Sequence, residues 1–497
     1  MRRITPSFAI VLFSAIASSS GFAQGESPGS GKGDSPFLDG PWRGRVELSP
    51  AGGPAGAQAA GSESFALTLF PADPEAGSPQ GGLVDMPSRG LYGFPLDEVV
   101  RDSDGIAFAL RGKAPFDGLF ELKLSKVSVS EAEKGPLVGA IRLLSPKTAE
   151  GRTVLEEGVF SLARPDASSR TLEYGVDYPV DTGRGILPGS LLLPEADSAE
   201  APPLVLILSG AGADRDGNNY AVPGRSDSLL RLALSLRERG IASLRFDKRG
   251  TGGAYALVED EGKLRFDDHI DDARAALRLL GADPRFSSLA VVGFAEGALV
   301  GACALAETEK SGDGAKLPVV GILALCASGK TEIEVVEEAL ASAPDELKGE
   351  AEAIMSALES GKGYPDPSPY FAEYFRPSVQ PYLSSLFARD IRAAFAAAAG
   401  RCPALVVAGG SDRQVPAAES MLLASSAGAA YRVVPGMSHA LKGVGEDEEA
   451  NYASFTDPKL PLADGLVDLV AAFARGADLA PGTGSQEAED PGEGIAR

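Results

Sequence analysis

The sequence predicts an α/β fold built on a mostly parallel, doubly wound sheet, with a small all-β, barrel-like domain in front of it. Three observations lead there. From residue 204 onward, short apolar runs (204–208, 242–246, 289–292) alternate with stretches of helical periodicity. Runs that are apolar at every position suit strands buried on both faces, which requires helices on both sides of a parallel sheet. Before residue 165 the pattern is instead short alternating runs between Gly, Pro and Asp turns, with no helix of useful length. Between residues 331 and 400 helical segments interrupt the strand–helix alternation, which reads as an insertion in the sheet.

Taken in order, the chain opens with Arg2 and Arg3, an apolar run over residues 8–16, and small residues ending at Gly21-Phe22-Ala23. A basic start, a short apolar stretch and a small-x-small site make residues 1–23 a cleavable export signal, and imply a periplasmic or extracellular protein. Residues 24–36 form a Gly/Ser-rich linker. The β domain covers residues 37–165, with strands at 43–48, 64–70, 105–110, 119–129, 137–144 and 158–163, and Trp42 as a core plug. The α/β domain covers residues 170–475. It starts with an antiparallel pair at 174–180 and 186–193. Strands then follow at 204–208, 242–246, 289–292, 319–327, 404–408 and 431–434, and helices at 228–239, 267–280, 296–307 and 462–474. The insertion, 331–400, holds helical segments at 333–341 and 351–358 and five prolines between Pro365 and Pro381. It reads as a lid over the carboxyl edge of the sheet, where ligands of such sheets bind; the plainer reading is a helical decoration. Residues 476–497 are acidic, rich in Gly, Glu and Pro, and predicted disordered.

Composition narrows the function. A net charge of −23 excludes the basic footprint that nucleic acid or an anionic membrane surface requires. No apolar run reaches the roughly 18 residues of a membrane span. The three cysteines, Cys303, Cys326 and Cys402, fall in the predicted core, and read as buried free thiols rather than a disulfide framework. Two distant histidines and no Cys/His cluster supply no metal spacing. The Gly-rich segment 209–217 lacks the Lys-Ser/Thr of a phosphate loop, and no organic cofactor is implied.

The informative segment is Leu289-Ala290-Val291-Val292-Gly293-Phe294-Ala295-Glu296-Gly297, an apolar strand, then Gly-x-x-x-Gly, then a helix. This is the nucleophile elbow G-x-S-x-G with one change: the nucleophile position is Ala295, and the serine is lost. Gly293 and Gly297 are required because a side chain at either flank of so tight a turn would strike neighbouring backbone. The backbone N–H of Glu296 is one candidate oxyanion donor. The second belongs to the loop after strand 204–208, with Ala211 the first choice and Gly210 the alternative. Downstream, Gly410-Ser411-Asp412-Arg413 follows one late strand, and Gly436-Met437-Ser438-His439 follows the last. Nucleophile position, acid and histidine thus come in the order 295, 412, 439, with Asp412 the orienter and His439 the general base. The other histidine, His269, lies among Asp267, Asp268, Asp271 and Asp272, and reads as a solvated surface residue.

With these motifs in view, the chain resembles exported bacterial α/β-hydrolases of the serine aminopeptidase-like and acyl-esterase-like group. The resemblance spans residues 174–474. Besides the elbow and the Asp412 loop it rests on Asp214-Arg215-Asp216-Gly217-Asn218, Arg245-Phe246-Asp247-Lys248-Arg249-Gly250-Thr251-Gly252 and Phe375-Arg376-Pro377-Ser378-Val379-Gln380-Pro381-Tyr382. A looser match, on Gly40-Pro41-Trp42-Arg43-Gly44 and Asp85-Met86-Pro87-Ser88-Arg89-Gly90, covers the small barrel in front. The resemblance implies ester, thioester or amide hydrolysis by a Ser-His-Asp triad. Here Ala295 has no oxygen to attack with, and Phe294 stands where such proteins usually carry a polar residue or His. Ser209, Ser411 and Ser438 could replace the nucleophile only in a rearranged geometry. Three readings follow: an inactive or weakly active protein that binds a small acyl or peptide-like ligand, a residual hydrolase in which His439 and Asp412 activate water or another nucleophile, and a non-catalytic interaction protein.

Overall fold

A computed structural model gives the arrangement of the chain. It describes residue 153 and the strand residues between 40 and 163, and residues 175–477 apart from 195–199, 219–224, 259, 308–317, 342–343 and 373. The export signal, the linker and the tail beyond Ala477 lie outside the described residues, as does the side chain of Trp42.

The N-terminal region is a single antiparallel sheet. Its strands are β1 (Gly40–Pro50), β2 (Ser62–Phe70), β3 (Gly81–Met86), β4 (Leu91–Pro95), β5 (Glu98–Asp102), β6 (Gly105–Arg111), β7 (Leu119–Ser125), β8 (Leu137–Leu144) and β9 (Val154–Ala163), in the order β4-β3-β2-β1-β9-β8-β7-β6-β5. The first strand pairs with the last, Val46 opposite Phe160. The meander therefore runs round a ring, and the one step without pairing among the described residues lies between β4 and β5. Pairing first to last leaves neither terminal strand as an edge. Val46, Ile141, Phe160 and Leu162 are buried and their chain neighbours Arg45, Glu47, Ala140, Arg142 and Ser161 exposed, the in–out alternation of a sheet with one covered face. The sequence reading does not include β3, β4 and β5: all three are short, and β3 and β4 carry Gly81, Gly82, Gly93 and Pro95, residues that weaken a strand signal.

The α/β region holds an eight-stranded sheet. Its strands are β10 (Val176–Asp177), β13 (Gly189–Leu192), β14 (Leu204–Leu208), β15 (Ala242–Phe246), β16 (Leu289–Phe294), β17 (Val319–Leu325), β18 (Ala404–Gly409) and β19 (Ala430–Val434), in the order β10-β13-β15-β14-β16-β17-β18-β19. From β14 onward all pairings are parallel, while β10 and β13 pair antiparallel. The expected antiparallel pair near its start is two ladders, β10 with β13, and β11 (Val180–Asp181) with β12 (Ile186–Leu187).

Successive residues of each central strand face opposite layers. Leu204, Leu206, Val291, Ile322 and Ala324 point to one side, and Val205, Ile207, Val292, Leu323 and Leu325 to the other. Helices α1 (Ser228–Glu238) and α10 (Leu466–Ala474) cover the second side through Leu229, Leu232, Leu236, Leu466 and Val470. Helices α2 (Phe266–Gly281), α3 (Glu296–Glu307), α7 (Ile391–Ala399) and α8 (Ala417–Ala427) cover the first. Within residues 331–400 the helices are α4 (Glu332–Leu340), α5 (Lys348–Glu359), α6 (Gln380–Phe387) and α7. The last of these packs on α3 and α8 as part of the layer on the sheet, whereas α6 packs on α4, α5 and α2. The sequence reading places no helix at α6, α7, α8 or the short α9 (Glu448–Ala453).

The glycines of the β16–α3 turn make a sharp test of this packing. A Cβ on Gly293 would lie 2.4 Å from the Cα of Ala298, backbone that cannot swing aside, whereas one on Gly349 in α5 meets nothing within 4 Å. Gly293→Ala is expected to lower unfolding stability in urea by about 3 kcal/mol or more, and Gly349→Ala to leave it unchanged or raise it by about 0.5 kcal/mol. Equal effects would contradict the packing described.

Candidate active site

The carboxyl ends of β14, β15, β16, β17, β18 and β19 open into the loops that carry Gly210, Lys248, Ala295, Cys326, Asp412 and His439. A parallel sheet places these loops on one edge, so residues scattered over more than two hundred positions are brought together.

Ala295 sits at the tip of the β16–α3 turn with φ 48°. That left-handed conformation costs an L-residue about 1–2 kcal/mol, and the surroundings enforce it. The Ala295 N–H donates to the Leu325 carbonyl at 2.9 Å, and its carbonyl accepts from the Ala298 N–H at 3.0 Å. On Gly297 a Cβ would stand 2.3 Å from the Leu208 carbonyl oxygen, so glycine lets α3 approach β14. Helix α3 begins at Glu296, whose amide precedes the first intrahelical bond and belongs to the positive end of the helix dipole.

His439 and Asp412 form a buried pair. The His439 Nδ1 lies 2.9 Å from Asp412 Oδ2, and the carboxylate's other oxygen accepts the backbone N–H groups of Gln414 and Val415 at 2.8 Å each. Three contacts thus fix the carboxylate, which in turn fixes the imidazole. Gly409 makes the approach of the two loops feasible, since a Cβ there would fall 2.4 Å from the Met437 carbonyl oxygen. The imidazole lies between two rings, Phe294 at 5.1 Å and Phe455 at 6.4 Å between centroids. The wall beside the histidine is therefore apolar.

The loop after β14 folds against the same point. A Cβ built on Gly210 would lie 3.3 Å from the Ala295 Cβ and 3.3 Å from the Phe294 ring, so this backbone borders the tip of the turn. The loop turns through Ala211 and Gly212, the latter at φ 62°, and the Ala213 N–H closes it on the Gly210 carbonyl at 3.3 Å. The three serines near the site are engaged in loop hydrogen bonds. Ser209 donates to the Ala213 carbonyl at 3.1 Å, Ser411 donates to the Gly445 carbonyl, and Ser438 is buried and accepts from the Lys442 N–H at 3.3 Å.

The remaining motifs act as braces. Asp247 accepts the N–H groups of Arg215 and Gly253, at 2.9 and 2.8 Å, and pairs with the Arg215 guanidinium. A Cβ on Gly252 would sit 2.4 Å from the Asp247 carboxyl carbon, which explains that glycine. Arg249 binds Asp272 bidentately in the interior; burial raises the Asp272 carboxyl to about 6, against the pull of Arg249. Asp214 is raised to about 7, first by burial and then by the charge of Asp247. In the insertion, Arg376 and Ser378 both bind Glu261, and the Gln380 amide bridges Tyr364 and Phe375.

Four residues near the site have no assigned part in the sequence reading: Lys248, Cys326, Glu332 and Tyr382. Lys248 and Tyr382 stand inside quoted motifs, so the signal was present but carried no role. Cys326 and Glu332 had none. One expectation is corrected: His269 is not at the surface but 2% exposed. It lies one turn after Phe266 on the inward face of α2, and α6 covers it, with the Tyr382 and Phe266 rings 5.8 and 6.4 Å away. Burial, with Lys248 and Arg249 nearby, holds its pKa well below the ordinary value, so it is neutral. Of the three free cysteines, Cys303 and Cys326 are buried and Cys402, just ahead of β18, is half-buried.

Tertiary structure also assembles a donor set that spacing hid. The side-chain ligand atoms of Cys326, Asp412 and His439 lie within 4.8 Å of one another. Cys326, at φ 49° beyond β17, is fully buried, and its thiol is pushed well up, by burial and then by Asp412. A thiol held protonated beside a carboxylate is a hydrogen-bond donor to it, whereas a metal would need the thiolate. The chemistry of the set fits a fourth contact on Asp412 better than a metal centre.

Residues 204–453 match the alpha/beta hydrolase family, about half the chain. The chain belongs to the α/β hydrolase family. Several solved structures are similar to part of the chain. Est1E from Butyrivibrio proteoclasticus, solved with ferulic acid, is similar over 60% of this chain and 96% of its own, at 16% identity and a TM-score of 0.39. The esterase domain of a Rhodothermus marinus protein is similar over 60% and 97%, at 14% and 0.34. A bromoperoxidase from Bacillus anthracis is similar over 60% and 100%, at 16% and 0.34. No curated protein matches the chain. Among the described residues of this α/β hydrolase no helix is long and apolar enough to cross a membrane.

Glu332, half-buried, opens α4 directly after the Thr331 cap. Burial, then the charge of Glu296, raises its carboxyl to about 7. Its folded pKa lies above the unfolded value near 4.3, so folding is penalised once both states ionise. The penalty is absent below about pH 4, grows between pH 4 and 7, and is complete above that. Glu332→Gln is therefore expected to raise the melting temperature at pH 8 and leave it unchanged at pH 4. A pH-independent difference would show that the carboxyl is not perturbed.

Proposed function

We propose that this chain is an exported protein of serine-esterase type that binds a small acyl or peptide-like ligand, and that loss of the nucleophile at Ala295 leaves it inactive or weakly active. The observation that carries the reading is a site complete in all but one atom. The elbow holds φ 48° at Ala295, and the His439–Asp412 pair is closed at 2.9 Å, yet the tip of the turn bears a methyl group. In this reading Asp412 orients His439, the amides of Glu296 and Ala211 (or Gly210) are the oxyanion donors, and Gly293 and Gly297 shape the elbow. The helices α4, α5 and α6 serve as the lid. Export follows from residues 1–23, and no cofactor, metal, nucleic acid or membrane span takes part.

The intact His439–Asp412 pair favours a second reading, in which the imidazole activates a water at the open position. Proteases stripped of a triad member keep roughly 10³–10⁴-fold acceleration over water from binding and the oxyanion donors, so weak turnover is the natural ceiling.

The decisive assay is hydrolysis of short and medium acyl esters by the mature protein beside Ala295→Ser and His439→Ala. The native protein is expected to be near background, Ala295→Ser to gain at least about 10²-fold, and His439→Ala in that background to remove the gain. Native turnover that His439→Ala abolishes would replace this reading by the water mechanism. An inert Ala295→Ser would sink the preformed triad.

A further inference from the structure

We infer that Lys248 is a positioning residue: its buried ammonium, paired with Glu296, sets the direction of the Gly210–Ala211 peptide, and Tyr382 ties this device to the insertion. The inference rests on the proposed role of that peptide as an oxyanion donor.

The Lys248 side chain is 6% exposed, and its Nζ donates to the Gly210 carbonyl at 2.5 Å and to Glu296 Oε1 at 3.1 Å. Glu296, itself 10% exposed, accepts from the Tyr382 hydroxyl on its other oxygen at 3.3 Å. One ammonium and one carboxylate thus join the loop after β14, the first residue of α3 and helix α6. The Tyr382 ring is held by edge contacts to Phe266 and His269, so the hydroxyl has a fixed reach.

A buried ion pair is weak evidence for stability, because desolvation of two charges consumes most of the attraction. Its geometry is more telling. In a trans peptide the carbonyl and the N–H lie in one plane and point in opposite directions. An ammonium that holds the Gly210 carbonyl toward Glu296 therefore also fixes the Ala211 N–H on the other side. That plane borders Ala295, since a Cβ on Gly210 would lie 3.3 Å from the Ala295 Cβ. The only other hydrogen on the Gly210 carbonyl among the described residues is the long 3.3 Å contact from Ala213, too weak to set the peptide alone. Glu296 then has two parts: its backbone belongs to the elbow, and its side chain holds Lys248 in place.

Two measurements on the full-length mature protein test this. In the native Ala295 background, Lys248→Met is expected to speed hydrogen exchange at the Ala213 amide, which closes the loop on Gly210, by about tenfold or more, with the amides of α2 unchanged. In the Ala295→Ser background the same substitution is expected to lower kcat for a 4-nitrophenyl acyl ester by about 10²-fold, the scale of losing one oxyanion donor, with KM changed less than about threefold. Should Lys248→Met not fold, the double variant Lys248→Met/Glu296→Leu removes both charges and is expected to fold, while still losing kcat. Unchanged exchange at Ala213, or a rise in KM with kcat unchanged, overturns the inference. If Ala295→Ser is inert while Lys248→Met still frees the loop, the hydrolase reading fails and the positioning of the peptide stands.

Discussion

The structure depends on one strained turn. Ala295 is held at φ 48° between β16 and α3, and everything around it is arranged so that this conformation has no alternative. Gly293 and Gly297 leave room for backbone where side chains would collide, and the Ala295 amide is tied to β17. Such strain is retained where the surroundings over-determine it, and is usually put to use by a reactive side chain at the tip. Here the tip is a methyl group. The scaffold therefore keeps a costly geometry around an unreactive side chain, which makes the rest of the edge the informative part.

That edge is polar underneath and apolar beside the histidine. The Asp412 carboxylate is held by two amides and His439, with the Cys326 thiol alongside, so the pair is fixed in place. Phe294 and Phe455 flank the imidazole. Below, charged residues in the interior hold loops rather than react: Asp247 on Arg215, Arg249 on Asp272, Lys248 on Glu296, and Glu261 on Arg376. Most motif residues of the α/β region serve this bracing. A sequence motif in such a fold records where backbone must be held as much as where chemistry occurs.

The sequence was most legible where local rules and tertiary burial agree. Strands apolar at every position, the glycine-flanked turn and the order 295, 412, 439 each carry their structural context with them. It was least legible where a residue's surroundings come from elsewhere in the chain. His269 sits among four aspartates in sequence, and only the packing of α6 over the inward face of α2 makes it a core residue. The short, glycine- and proline-bearing strands β3 and β4 have weak local preference and exist because their neighbours supply the ladder.

By itself, then, the sequence determined the fold class, the elbow and the absence of an oxygen at its centre, because these depend on periodicity, glycine and the identity of one residue. Tertiary structure decided which side chains share the sheet's edge with it. Lys248, Tyr382 and the pair Cys326 and Glu332 come from three separate segments, and no spacing rule relates those segments. They meet because parallel strands deliver every following loop to the same edge, and because the insertion folds back across it. The electrostatic character of the site arises only at that meeting, since the ion pair joins charges far apart in the chain, and the raised carboxyl depends first on burial and then on the charge of Glu296.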